Sequence, residues 1–337
     1  MHKLSKLFFL LLFLFSFSAN ASSTIDYSKK WEVKRFINHL HKEFGYNKKH
    51  LQSLFKKIRK NPKETPKVCK SSIPKRTRKE GSWESYKRIH TGKNHINLGI
   101  KFMKKHKKSL QKAYKKYGVP PEYITAIIGI ESYYGENCGR YYVFDKLSQL
   151  SFKKHRRKKF YKAQLEEFLR ICFKEKLNPR KIKGSSSGAI GLAQFMPSNY
   201  DHFGVDLNND GKIRLTNPDD AIGSIANYFY KSGWKKNQSV AVEVAFKGKR
   251  FYGLKTGYKK KYKQANLKSF KVKGYFNYKK EVSLIKLKKA WSDELWFGAN
   301  NFYVITRYNH SAYYAMAVHQ LAQKIKWRAI NQSKSRL

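Results

Sequence analysis

Apolar residues return every three to four positions through most of the chain, and that period confines the fold largely to helices packed on helices. From Trp31 to Ile58 the positions Trp31, Val33, Phe36, Ile37, Leu40, Phe44, Leu51, Leu54, Phe55 and Ile58 keep it, which predicts amphipathic helix. It resumes between Asn97 and Tyr117, where Met103, Leu110, Ala113, Tyr114 and Tyr117 share one face and lysines occupy a solvated one. Further helices are expected over 161–174, over 218–231 with Ile222, Ile225, Ala226 and Phe229 inward, and over 311–330. Two segments break the period. Residues 61–80 carry Pro62, Pro66 and Pro74 among many charges and read as an irregular connection. From Ser239 to Ala290, alternating runs such as Val240-Ala241-Val242-Glu243-Val244 and Val282-Ser283-Leu284-Ile285 predict a small β-rich insert. No internal repeat is present.

A length of 337 residues with 41% hydrophobic content excludes disorder throughout and suffices for more than one domain. The net charge of +51 favours polyanionic surroundings, whether nucleic acid, anionic lipid or an acidic wall polymer, without choosing among them. Lysine is spread along the whole chain, so a general lysine bias explains the charge as well as ligand binding does. The first residues narrow the choice. Lys3 and Lys6 precede an apolar run from Leu7 to Phe17 and then Ser18-Ala19-Asn20-Ala21, the pattern of a signal peptide over 1–21 cleaved after Ala21. The run is far short of the roughly 20 residues that span a bilayer. An exported, periplasmic, soluble protein beginning at Ser22 is expected, with no transmembrane anchor in its mature form and no nucleic acid as partner. Cys69, Cys138 and Cys172 make no paired framework; one disulfide could form, and the spacing does not choose which.

Three constellations could carry chemistry. In Tyr123-Ile124-Thr125-Ala126-Ile127-Ile128-Gly129-Ile130-Glu131, helical spacing puts Ile124, Ile127, Ile128 and Glu131 on one side, so a carboxylate ends an apolar stripe. Burial there raises a carboxyl pKa toward that of a general acid. From spacing alone, a core-edge Glu paired with a lysine fits as readily. Glu136 falls roughly 140° further round the helix and supplies no partner.

The second constellation is the small-residue segment Lys183 to Ser198, which includes Ser185, Gly188, Gly191 and Gln194. Small residues let another chain approach its backbone, and Gln194 offers an amide to a hydroxyl or N-acetyl group. As a bare pattern it is a flexible turn entering a short helix, and it matches neither a phosphate loop nor a dinucleotide fingerprint. The third is Asp206-Leu207-Asn208-Asn209-Asp210-Gly211-Lys212-Ile213. It matches the first half of an EF-hand-like calcium loop, with Lys212 placed to offer its carbonyl. The twelfth position is Asn217 rather than Glu, although Asp219 and Asp220 follow it. Five of the 22 acids lie between Asp201 and Asp220, and clustered acids repel unless a cation relieves them, which favours Ca2+ over a polar turn.

Taken in chain order, Gly118-Val119-Pro120-Pro121-Glu122, Ile128-Gly129-Ile130-Glu131-Ser132 with Gly135, Gly188-Ala189-Ile190-Gly191 with Gln194-Phe195-Met196-Pro197-Ser198, Asp220-Ala221-Ile222-Gly223-Ser224-Ile225-Ala226-Asn227-Tyr228 and Ile305-Thr306-Arg307-Tyr308-Asn309 resemble the lytic murein transglycosylase B family. The resemblance implies a mainly α (α+β) fold: a lysozyme-like helical core, an outer helical domain, a small β domain and an EF-hand-like loop over 206–220. On that pattern the chain divides into an N-terminal helical part over 22–117, a catalytic core over 118–217 and a returning helix over 218–238. The β domain then covers 239–298, and a groove segment with its helix covers 299–337.

The resemblance also implies cleavage of the β-1,4 bond between N-acetylmuramic acid and N-acetylglucosamine in peptidoglycan, with Glu131 as sole acid/base and a 1,6-anhydromuramoyl end as product. Gln194, Tyr308, Asn309 and Ser185 match groove residues, and Arg156 and Arg157 match a basic pair near the stem peptide. Asp206, Asn208, Asp210, Lys212 and Asp220 match the calcium ligands, the loop closing at Asp220; no organic cofactor is implied. The expected partners are peptidoglycan glycan strands and cell-wall machinery, and a monomer is expected. The alternatives weighed against this enzyme are a hydrolytic muramidase and a non-catalytic cationic peptidoglycan-binding module. Family members attached to membranes carry a lipidated Cys after the signal, where this chain has Ser22, and its lysine excess is also unusual.

Overall fold

The computed structural model describes residues 24–60, 81–154, 156–246, 251 and 253–334. The signal segment with its cleavage point, the proline-rich connection and Cys69 lie outside the described residues.

β1 (Thr24–Ile25) pairs antiparallel with β2 (Ile58–Arg59), and between them stand α1 (Trp31–Phe44) and α2 (Lys48–Lys56). The periodic stretch from Trp31 to Ile58 is thus two helices rather than one. Gly45 adopts φ 69°, a left-handed conformation cheap only without a Cβ, and its N–H closes α1 on the His41 carbonyl. Asn47 then caps α2 by accepting from the His50 N–H at 2.9 Å.

α3 (Ser82–His90), α4 (Lys93–Lys105), α5 (Lys107–Tyr117) and α6 (Pro121–Ser132) follow. The helix expected over 97–117 is divided at His106, whose φ −108°, ψ 28° lies outside the helical range. Pro121 opens α6 at its first helical position, where a missing N–H costs nothing. Every residue of α6 from Glu122 to Gly129 is buried, so the expected apolar stripe is a helix enclosed on all sides. It packs among α4, α5 and two later helices, α10 (Pro218–Lys231) and α12 (Ala312–Lys334).

Between α6 and α10 the chain forms β3 (Tyr141–Tyr142), α7 (Val143–Phe152), α8 (Lys158–Lys174), β4 (Lys183–Gly184) and α9 (Ser198–Phe203), with β3 antiparallel to β4. After α10 come β5 (Ala241–Phe246), β6 (Phe270–Val272), β7 (Ser283–Lys288) and β8 (Asp293–Gly298), and α11 (Asn300–Tyr308) precedes α12. The four strands make one antiparallel sheet in the order β6-β5-β8-β7, which realises the alternating segment.

Three apolar cores result. α1, α2, α7 and α8 enclose an outer core in which Phe36, Phe55, Phe144 and Phe152 stack edge to face or tilted, each burial contributing roughly 1.5–3 kcal/mol. α4, α5, α6, α10, α11 and α12 share an inner core. The sheet has its own core of Val242, Val244, Leu284, Leu295 and Phe297. Strand alternation sends Ile285 and Leu287 the other way, into the inner core, so β7 is covered on both faces. Among the described residues, no helix is long and apolar enough to cross a membrane.

Candidate active site

Glu131 occupies the last turn of α6, where the enclosed helix emerges from the inner core. α6 ends abruptly because Tyr133 and Tyr134 take φ 50° and 62°, left-handed values that cost non-glycine residues about 1–3 kcal/mol each. Several contacts hold this turn. The Ser132 hydroxyl donates to the Ile128 carbonyl at 3.1 Å and accepts from the Gly135 N–H at 3.2 Å. The Tyr134 hydroxyl donates to the His95 carbonyl at 2.7 Å, threading between α4 and α6. A Cβ at Gly129 would stand 2.5 Å from that hydroxyl oxygen and one at Gly99 2.7 Å from it, so both helices must be glycine there. Glu131 is therefore delivered by a rigid, strained corner.

The Glu131 carboxyl is half-buried, and its Oε1 accepts a hydrogen bond from the Tyr314 hydroxyl on α12 at 2.5 Å. Burial pushes its pKa up and the Tyr314 bond pulls it down, leaving it raised to about 7. Near neutrality such a carboxyl is held about half in its acid form, as a group that must both give and take a proton requires. Burial and the Glu131 charge together raise Tyr86 to about 12 and hold Tyr308 and Tyr314 far above the usual phenol value. Three neutral phenols thus surround the carboxyl. Tyr86 and Tyr314 escape sequence reasoning because nothing local separates them from the other tyrosines of an aromatic-rich chain. Tyr314 lies six residues after Tyr308, in the helix expected over 311–330, and that adjacency is the one available signal.

The small-residue segment is not a flexible turn. Ile190 bridges both Gly184 and Phe195, and the close backbone approach that its glycines permit comes from this chain itself. Gly191 has φ 71°, and a Cβ on it would lie 2.2 Å from the Leu215 carbonyl oxygen. This packing fixes Gln194, at φ 48°, whose Nε2 donates to the carbonyls of Cys138 at 3.1 Å and Gly191 at 2.8 Å. Tyr308 closes the same side: its hydroxyl donates to the Ala193 carbonyl at 2.5 Å, and its ring meets Phe195 and Tyr228.

Glu131, Tyr314 and Tyr308 are therefore linked by a hydrogen bond and electrostatic coupling, and Tyr308 reaches the carbonyl of Ala193, the chain neighbour of Gln194. Asn309 is exposed just past α11, its carbonyl accepting from the Ser311 N–H at 2.7 Å. Ser185 uses its hydroxyl oxygen locally, accepting from the N–H groups of Ser187 at 3.2 Å and Ala189 at 3.0 Å. Arg156 and Arg157 sit exposed in the turn before α8, beside the outer core rather than on α6 or α12.

In the acidic loop, Asn209 and Gly211 take φ 62° and 79° and fold the chain around Asp206, whose carboxylate accepts from the N–H groups of Asp210 at 3.2 Å and Gly211 at 2.8 Å. Asp210 is paired with Arg214 at 2.5 Å. Asp220, fully buried, accepts from the N–H groups of Leu207 at 3.1 Å and Arg214 at 2.7 Å and so ties the loop to α10. Burial pushes the Asp220 carboxyl up, those two bonds pull it down, and the charges of Asp206 and Asp210 push it up again. Among the described residues no three His, Cys, Asp or Glu side chains converge closely enough to hold a metal. The donor set is nonetheless all oxygen and carries mutually repelling carboxylates, which fits a hard divalent cation such as Ca2+.

The chain matches the transglycosylase SLT domain family over residues 28–323. It is 35% identical over 311 residues to the membrane-bound lytic murein transglycosylase B of Escherichia coli, covering 89% of this chain and 84% of that protein. Its fold superposes on the Escherichia coli lytic transglycosylase Slt35 in complex with calcium with a TM-score of 0.82 at 33% identity, over 92% of this chain and 97% of that one. Pseudomonas aeruginosa SltB3 in complex with NAG-NAM-pentapeptide gives 0.71 at 25% identity, over 87% and 79%. Likeness in sequence and in fold thus runs through both helical cores and the sheet alike, and on that ground the chain belongs to the transglycosylase SLT domain family and is a lytic murein transglycosylase of lysozyme-like fold.

Proposed function

We propose that Glu131 is the single acid/base with which this enzyme cleaves the β-1,4 bond between N-acetylmuramic acid and N-acetylglucosamine. In its acid form Glu131 gives its proton to the glycosidic oxygen as the bond to C1 of the muramic residue breaks. The carboxylate left behind takes the proton of the C6 hydroxyl, O6 bonds to C1, and a 1,6-anhydro ring closes. Glu131 regains its proton and no water is consumed. Tyr314 holds Oε1, so the carboxyl presents its second oxygen to the sugar in one orientation. An acid/base contributes roughly 10²- to 10⁴-fold; positioning and ring distortion supply the rest.

Gln194, Tyr308, Asn309 and Ser185 line the groove for the amino sugars, and Arg156 and Arg157 take carboxylates of the stem peptide, for which a planar guanidinium suits better than an ammonium. Asp206, Asn208, Asp210 and Asp220 side chains with the Lys212 carbonyl would hold Ca2+, which supplies charge neutralisation that locks the loop onto α10. The enzyme acts in the periplasm after export through residues 1–21. What supports the acid/base assignment is one observation, the Glu131 carboxyl poised near neutrality beside Tyr314. Mass analysis of products from Glu131→Gln tests it: anhydro ends should vanish while wall binding persists, and equal turnover removes Glu131 from the chemistry. A reducing end one water heavier from the unaltered enzyme would instead indicate a hydrolytic muramidase.

A further inference from the structure

α1 and α8 lie side by side on the outer core, clasped at one end by Lys158 and Glu32 at 2.5 Å and at the other by His39 and Glu166 at 3.1 Å. Arg35, Lys159 and Lys162, together with His39 and Glu166 of the second clasp, line an open cavity of about 410 Å³. Among the described residues no ion pair engages these three cations. One large ring flanks them: Trp31 is 63% exposed with the Arg35 guanidinium 5.2 Å from its centre, whereas Phe160, at the start of α8, lies under the Arg157 guanidinium at 4.4 Å. Exposed Lys34, Lys153 and Lys154 extend the positive field.

Cations alone would suit any polyanion. A largely exposed indole beside them does not: a stem-peptide carboxylate would satisfy the charges and leave Trp31 in water. Negative groups lying directly above hydrocarbon occur together at an anionic phospholipid surface, where aromatic rings enter the interface and Lys and Arg pair with headgroup phosphate.

We propose that the α1/α8 face docks this enzyme peripherally and reversibly on anionic phospholipid, with Arg35, Lys159 and Lys162 holding headgroup phosphate and Trp31 seated among the lipids. Glu131 belongs to the inner core, so the docking face and the sugar chemistry are separable.

The test is co-sedimentation of the mature chain from Ser22 with vesicles of phosphatidylcholine alone or with added phosphatidylglycerol. Partition should rise with phosphatidylglycerol and fall with added salt. The combined variant Arg35→Ala, Lys159→Ala, Lys162→Ala should partition at least about tenfold less onto the anionic vesicles. It should keep its activity on soluble glycan strands. Beginning at Ser22 removes the apolar run at residues 7–17, which would otherwise carry parent and variant onto vesicles alike. Trp31→Ala, a change at an exposed residue, should weaken partition independently and decides the matter if the triple variant folds poorly. Equal binding of parent and variants to anionic vesicles overturns the proposal. So does loss of binding to purified wall sacculi with vesicle binding unchanged, which would assign the face to the wall polymer.

Discussion

The Tyr314 hydroxyl, in the first turn of α12, donates to Glu131 Oε1 at 2.5 Å across 183 positions of sequence. The bond stabilises the carboxylate against a burial that favours the acid, and the balance of the two sets the proton affinity of that carboxyl. Tyr314→Phe removes only the donor. The Glu131 pKa should then rise above about 7, and the fall of kcat/KM with increasing pH, which follows loss of the acid form, should move to higher pH. A limb that stays in place, or moves to lower pH, would show that this hydroxyl does not tune the carboxyl.

The same raised pKa makes stability depend on pH. An ordinary glutamate titrates at 4.5, whereas burial holds Glu131 protonated to about 7, so between those values the folded chain keeps a proton that the unfolded chain has released. The group's contribution is full below about 4.5 and is lost as pH rises through about 7. Glu131→Gln lacks this loss. Its stability relative to the parent should therefore increase by about 3 kcal/mol between pH 4.5 and pH 8, read as a growing difference in Tm. A constant difference would mean that the carboxyl is no harder to ionise in the fold than in the unfolded chain.

How far the sequence discloses this site depends on range. The apolar run that Glu131 ends is legible within nine residues, although its spacing fits a lysine-paired Glu as readily, and the β insert is legible because strand alternation is local. Tyr314 is not, since its role arises only when α12 crosses α6. The Lys183 to Ser198 segment misleads for a related reason: its glycines look like looseness until Leu215 is seen pressed against Gly191. The break at Gly45 lies within one continuous apolar period, so periodicity passes through it, and the enclosure of α6 depends on four helices that its own sequence does not mention.

That tight contact gives a third prediction. Gly191→Ala would force a Cβ to within 2.2 Å of the Leu215 carbonyl oxygen at a backbone φ of 71°, combining overpacking with left-handed strain. A loss of at least about 2 kcal/mol is expected, seen as a lowered denaturant midpoint. Because Gly191 also accepts from Gln194 Nε2, kcat/KM should fall even where the variant remains folded. Full activity with unchanged stability would mean that the segment adjusts freely.

The acidic loop separates two roles that a single substitution would confuse. Asp206 and Asp210 are exposed or half-exposed, and Asp210 already has Arg214; removing either carboxylate without metal should leave stability nearly unchanged. Asp220 is fully buried and satisfies two backbone N–H groups, so Asp220→Ala should cost several kcal/mol with or without metal, at about 1–3 for each donor left unpaired. Added Ca2+ should raise the Tm of the parent, and a chelator should reverse the rise. Asp206→Ala and Asp210→Ala should abolish that response while leaving the metal-free Tm nearly unchanged. A calcium response that survives loss of both Asp206 and Asp210 would place the ion elsewhere, and no response in the parent would leave the loop a turn held by its own hydrogen bonds and tied to α10 by Asp220.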